Sequence, residues 1–196
     1  MTVMHRTRPM AAPGQTSARH LLRAATAELH AHVDARFSGP FEADRAAYGA
    51  FLTALATAVP PLERTLEAAG IEQLFEDWPQ RRRAGLLALD LADLGLPSPA
   101  ARVAPAAGSE AHAMGMLYVL EGSRLGGKLL LRRVLGNADP EVRRATRYLA
   151  HGSDSALWSS FVGRLETSDA VDRAPDEAIA GAREAFSLFM ADIHHA

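Results

Sequence analysis

The chain has 196 residues, a net charge of -2, 48% hydrophobic and 22% charged residues, and no cysteine. That length and balance describe one globular domain with a sizeable core. Disulfides, thiolate nucleophiles and zinc–cysteine centres are excluded, and no global basic field points to nucleic acid. No apolar run reaches the roughly 18–20 residues of a membrane span, and residues 1–16 lack the apolar core of a secretory signal, so a cytoplasmic location is expected. Those residues, with Pro9, Pro13 and Gly14, are expected to form a disordered tail ahead of a helical domain over 17–196.

Ser17 is a fitting N-cap for a first helix ending near Arg36. A second helical stretch runs from about Glu42 to Ala69, where Pro60-Pro61 should kink or split it before Gly70 stops it. Trp78-Pro79 opens a third helix ending near Gly95, and Arg81-Arg82-Arg83 on it reads as a solvated face. After a loop over Arg102–Gly108, Ser109 can cap a long helix that Gly136-Asn137 ends. Asp139-Pro140 is an N-cap followed by proline at the first helical position. Ser153-Asp154 starts another helix, and Ala174-Pro175 starts the last. Alternating strand patterns are missing. The expected fold is a single all-α domain.

Three glycines interrupt the long helix within Leu117–Leu131: Gly122, Gly126 and Gly127. Each costs about 1 kcal/mol in a helix interior relative to alanine. Gly122 and Gly126 are four apart, so they strip one face of side chains. Such a face lets a flat or bulky ligand approach the backbone, permits a bend, or packs closely on another helix; spacing leaves all of these open.

On a helical wheel of the first helix, Leu21, Leu22, Ala25, Thr26, Leu29, Val33 and Phe37 form one mostly apolar stripe, with His30 at one edge and His32 near the other. Periodicity does not choose between the histidines, and either could be a packing residue. Asp34 lies four residues after His30, within reach of its imidazole. Ligating histidines commonly give their second N–H to a carboxylate. Arg23 is two turns earlier, about 10 Å along the axis, which suits an anionic group on a ligand held by His30. Arg23 and Asp34 could equally form a solvated edge.

Leu22-Arg23-Ala-Ala-Thr26-Ala-Glu28-Leu29-His30, followed by Asp34, resembles the first-helix signature of heme oxygenases. Leu117-Tyr118-Val119-Leu120-Glu121-Gly122-Ser123-Arg124-Leu125-Gly126-Gly127 resembles the distal helix of the bacterial branch often found with bacteriophytochromes. The helical order over residues 17–192 is similar too. The resemblance implies a heme-oxygenase-like helical bundle with a kinked glycine-rich distal helix. It also implies cleavage of heme, at once cofactor and substrate, to biliverdin, with release of carbon monoxide and ferrous iron. His30 would be the proximal iron ligand and Asp34, a shortened form of the usual glutamate, its orienting carboxylate. Gly122, Ser123, Arg124, Gly126 and Gly127 would line the distal side, where dioxygen binds beside backbone groups and ordered water. Arg23 and Tyr118 would meet heme propionates. Electrons would come from a ferredoxin or flavoprotein reductase, and a bacteriophytochrome is a candidate acceptor of the biliverdin.

The chain departs from the wider family at Ser123, where many members carry an acid after the first distal glycine; Arg124 follows as a long cation able to enter the distal side or point at solvent. For Ser123 the alternative to a distal role is a bond back to the carbonyl four residues earlier. A heme-binding protein that stores, carries or senses heme without degrading it is the second reading. A di-iron centre would need paired Glu-x-x-His motifs, which are missing, and a thiaminase-like activity would need cysteine. Arg132, Arg133, Arg143, Arg144 and Arg147 are candidates for propionates or an acidic donor, or else solvated faces. His112 has no visible partner, Trp78 and Trp158 read as core aromatics, and His194 and His195 as exposed.

Overall fold

The computed structural model describes residues 17–152 and 156–190, and every regular element among them is a helix. The expected tail over 1–16, the helix start at Ser153-Asp154, and His194 and His195 lie outside the described residues. The first helix is two: α1 (Ala18–Ala25) and α2 (Ala27–Arg36). They part at Thr26 (φ -117, ψ 9), whose buried hydroxyl donates to Leu22 O at 2.7 Å. A hydroxyl that competes with the backbone for its own carbonyl favours such a break. Ser17 caps α1 by accepting from His20 N, and Glu166 accepts from Ala18 N and Arg19 N, docking that helix end.

The next helix, α3 (Arg45–Ala68), runs unsplit through Pro60 and Pro61. Pro61 cannot donate to the carbonyl four residues back. That carbonyl, Thr57 O, accepts instead from Arg102 N at 3.0 Å, so the loop repairs the helix. The third predicted helix is also divided, after a short α4 (Ile71–Leu74), into α5 (Trp78–Arg81) and α6 (Ala84–Asp93). Glu63, buried on α3, causes the division: its carboxylate accepts from both Arg83 N and Ala84 N and caps α6 from outside. Burial pushes the Glu63 carboxyl up, against those two bonds. The reading of Arg81-Arg82-Arg83 as a solvated face is therefore corrected, because Arg81 and Arg83 are each only 3% exposed.

The long α7 (Glu110–Leu135) starts at the Ser109 cap and remains helical through all three glycines. Short α8 (Pro140–Arg144), α9 (Arg147–Ala150), α10 (Leu157–Leu165) and α11 (Asp169–Arg173) lead to α12 (Pro175–Met190). The tightest approach in the bundle is α7 against α12. A Cβ at Gly115 would sit 1.9 Å from Ala178 O, and one at Gly181 would sit 2.1 Å from His112 O. His112 is buried at this crossing with Nε2 3.1 Å from Glu184 Oε2, a partner not visible from sequence. Backbone cannot yield as a side chain can, so Gly115→Ala is expected to destabilise by about 3 kcal/mol or more. Thermal denaturation should show a midpoint lowered by roughly 6–12 °C; an unchanged midpoint would mean that the crossing is looser than described.

Candidate active site

Between α2 and α7 lies a cleft that is partly open to solvent. Its walls are largely apolar, with Val33 and Phe37 from α2, Phe51 and Leu55 from α3, and Phe186 and Phe189 from α12. No residue of α2 is buried. The apolar stripe read from the sequence packs half-buried on the core through Leu29, Val33 and Phe37, and Val33 and Phe37 also line the cleft.

His30 and Asp34 line one side of the cleft, and His32 is exposed outside it. His30 Nδ1 lies 3.2 Å from Asp34 Oδ2, and the ring tilts against Phe186 at 5.6 Å. With Nδ1 held by a carboxylate, Nε2 is the nitrogen left for a metal. Across the cleft stand Tyr118, Gly122, Ser123, Gly126 and Gly127. A Cβ at Gly126 would meet nothing within 4 Å, and at Gly122 only the edge of Trp158, 3.7 Å away. At Gly122 and Gly126 the bare face thus borders open space, while Gly127 is buried beside Leu149 of α9, where a Cβ would sit 3.6 Å from the carbonyl oxygen; the glycines in the tightest helix packing are Gly115 and Gly181.

Two predicted site residues do not line the cleft. Arg23 is exposed, but it and Arg19 lie near enough to Tyr118 to act on its hydroxyl, whose pKa burial raises and the two cations oppose. Arg19 also lies over the Trp158 ring at 5.8 Å, so one rim of the cleft carries two cations beside a tyrosine. Arg124, 6% exposed, reaches neither the cleft nor solvent. It turns behind α7, where it donates to both Glu121 oxygens (2.8 and 3.0 Å), to Arg81 O and to His151 Nδ1. Arg81 meets the same Glu121 at 3.0 Å. Burial, and next the Arg124 charge, hold His151 below the usual histidine range, which keeps its Nδ1 an acceptor. This buried network is one that sequence reasoning missed; its trace in the sequence is Glu121 and Arg124, three apart directly after the apolar run Met114–Leu120.

Ser123 lines the cleft and also bonds back, but to Leu120 O, three residues earlier, at 2.7 Å. Its Oγ accepts from Arg83 Nη2 at 2.7 Å. Of the basic candidates beyond the glycines, Arg133, at the end of α7, pairs with Glu42, Arg144 with Asp93, and Arg147 with Asp90 and Asp93, while Arg143 donates to Asn137 O and Ala138 O. These serve the bundle and do not line the cleft.

A family model described as heme oxygenase matches residues 16–195. The chain belongs to the heme oxygenase family. A heme oxygenase of Xanthomonas campestris pv. campestris is 40% identical over 131 residues, covering 62% of this chain and 78% of that protein. The heme oxygenase PigA of Pseudomonas aeruginosa is 33% identical over 132 residues, covering 65% and 66%. The Neisseria meningitidis heme oxygenase, solved with NO and CO bound, superposes with a TM-score of 0.71 at 22% identity, covering 92% of this chain and 96% of that one. That likeness extends to the fold, all helices and no strand among the described residues.

Proposed function

We propose that the cleft between α2 and α7 binds heme and that the chain cleaves it oxidatively to biliverdin, releasing carbon monoxide and ferrous iron. The observation that carries this reading is the carboxylate-held His30 facing a side-chain-free stretch of α7 across an apolar cleft. The residues fit a flat, largely apolar macrocycle with an iron at its centre. His30 Nε2 would ligate, and Asp34 would fix the tautomer and orient the ring. The phenyl rings of α2, α3 and α12 exclude water from the macrocycle, while Arg19, Arg23 and Tyr118 offer charge and a hydroxyl to its carboxylates at the rim. Bound heme supplies the site of dioxygen activation and is itself consumed. The chain contributes ligation, distal donors and the shape that decides which ring edge is exposed. Gly122, Gly126 and Gly127 keep the opposite face clear for dioxygen, and Ser123 and backbone-held water supply the hydrogen bonds there. Arg124 acts from behind α7, holding the network under it.

Electrons come from an external donor, a ferredoxin or a flavoprotein reductase. A bacteriophytochrome as acceptor of the product belongs to the same proposal, on the Glu121-Gly122-Ser123 likeness. So does a cytoplasmic location; no described helix is long and apolar enough to cross a membrane.

Amide hydrogen exchange tests the site. Without heme, α2 has no buried residue, so it should open at low free-energy cost. Hemin at 100 times its dissociation constant adds about 2.7 kcal/mol to the bound form. Exchange in α2 should then slow by roughly 100-fold, with protection also at the cleft-facing turns of α7. Protection confined to other helices would place the ligand elsewhere.

A further inference from the structure

Behind the distal wall is a cation that the sequence placed in solvent. Arg83 is 3% exposed and enters from the turn before α6. Its Nη2 donates to Leu120 O at 2.6 Å and to Ser123 Oγ at 2.7 Å, closing a small ring with the Ser123-to-Leu120 bond. Its guanidinium also covers the ring of Tyr148, 4.6 Å away, and Tyr148 lines the cleft as Ser123 does. Among the described residues, no carboxylate lies within ion-pair distance of this guanidinium. The two nearby acids are committed: Glu121 to Arg81 and Arg124, and Glu63 to the backbone N–H groups of Arg83 and Ala84.

A serine hydroxyl has one hydrogen and two lone pairs, and a carbonyl oxygen has two lone pairs. At Leu120 O, one lone pair belongs to the helix ladder. Arg83 and Ser123 compete for the other, and a charged donor makes the stronger bond. The Ser123 hydrogen is therefore dispensable at Leu120 O and can swing into the cleft without leaving that carbonyl unpaired. Donation from a cation to the same oxygen polarises the hydroxyl and makes it a better donor.

We propose that Arg83 is a positioning residue of the distal side: by holding Leu120 O and Ser123 Oγ together, it turns the Ser123 hydroxyl into a donor aimed at a small anion in the cleft. The unpaired guanidinium also gives that wall a positive potential. A hydroxyl backed by a buried cation thus does here what a distal acid with water does elsewhere in the family. The inference rests on the reading that Ser123 faces bound heme.

The experiment uses hemin-loaded ferric protein and two added ligands, fluoride as the anion and imidazole as the neutral control, followed by absorbance. Arg83→Met should weaken fluoride binding by about 10-fold or more, the size of one charge-assisted hydrogen bond, and leave imidazole affinity within about 2-fold. Ser123→Ala should cost fluoride about as much in the wild-type background and little in the Arg83→Met background, since the two act through one path. Arg83→Lys keeps the charge but not the fork that spans two acceptors, so it should fall between. If Arg83→Met does not hold hemin, the Ser123→Ala comparison in the Arg83→Lys background replaces it, with the Ser123→Ala penalty again reduced. Equal losses of fluoride and imidazole, or a Ser123→Ala penalty that is the same in every background, would overturn the proposal. Failure of the wild-type protein to give a spectrum that depends on His30 would defeat the heme-site reading itself.

Discussion

Replacing His30 by alanine is expected to remove the histidine-ligated heme spectrum and reduce biliverdin formation by on the order of 100-fold or more. Loss of an outer-shell partner of a metal ligand costs roughly 10–100-fold, and loss of the ligand should cost more. Asp34 is such a partner, and its side chain is 71% exposed, so water can take its place; Asp34→Asn should sit near the lower limit, about 10-fold. The cleft survives in His30→Ala because the His30 side chain is itself 56% exposed and packs mainly on Phe186. Hemin should therefore still bind, and added imidazole should enter the space and restore much of the spectrum. His32→Ala is the control, since His32 stands outside the cleft. Loss of the spectrum in His32→Ala with retention in His30→Ala would show the ligand to be misassigned.

The second large effect is expected from Gly126→Leu. A Cβ here meets nothing within 4 Å, so the folded chain accepts the substitution. Exchanging a helical glycine for leucine even favours the helix by about 1 kcal/mol. The branched side chain projects into the space opposite His30. Hemin should bind, but the dioxygen complex should form poorly, and turnover should fall by on the order of 100-fold, as a reacting group displaced by about 1 Å can cause. Thermal denaturation of the heme-free protein separates this from damage to the fold: the midpoint should be unchanged or raised, opposite to Gly115→Ala. Normal turnover by Gly126→Leu would remove the glycine face from the reaction.

Much of this was legible in the sequence, because local chemistry marks helix ends. Ser109, Asp139-Pro140 and Ala174-Pro175 each start a helix where their capping chemistry says. The glycine face and the His30–Asp34 spacing were legible for the same reason, being set by residues one turn apart. What escaped was decided by partners distant in sequence. Glu63 cuts the third helix by reaching 20 residues ahead to cap Arg83. Arg102 N keeps α3 whole by accepting the role that Pro61 vacates. Arg81, Arg83 and Arg124 looked solvated or cleft-facing because charge predicts exposure; their burial depends largely on Glu121, on backbone carbonyls and on the Tyr148 ring, distant from Arg81 and Arg83 in the chain, while Asp77, which grips Arg81 bidentately from four residues before, was a local partner. The apolar stripe of α2 was visible, but only the structure shows that it borders a cleft.

The most direct test of the central claim is hemin titration of the purified protein followed by aerobic reduction, with absorbance recorded throughout and ferrous iron captured by a chelator. Saturable binding of one hemin per chain is expected, then decay of the heme band through verdoheme to biliverdin, with iron released in step. A heme band that persists through repeated reduction in air, with no biliverdin and no chelated iron, would contradict that claim and leave a heme-binding protein on the same fold.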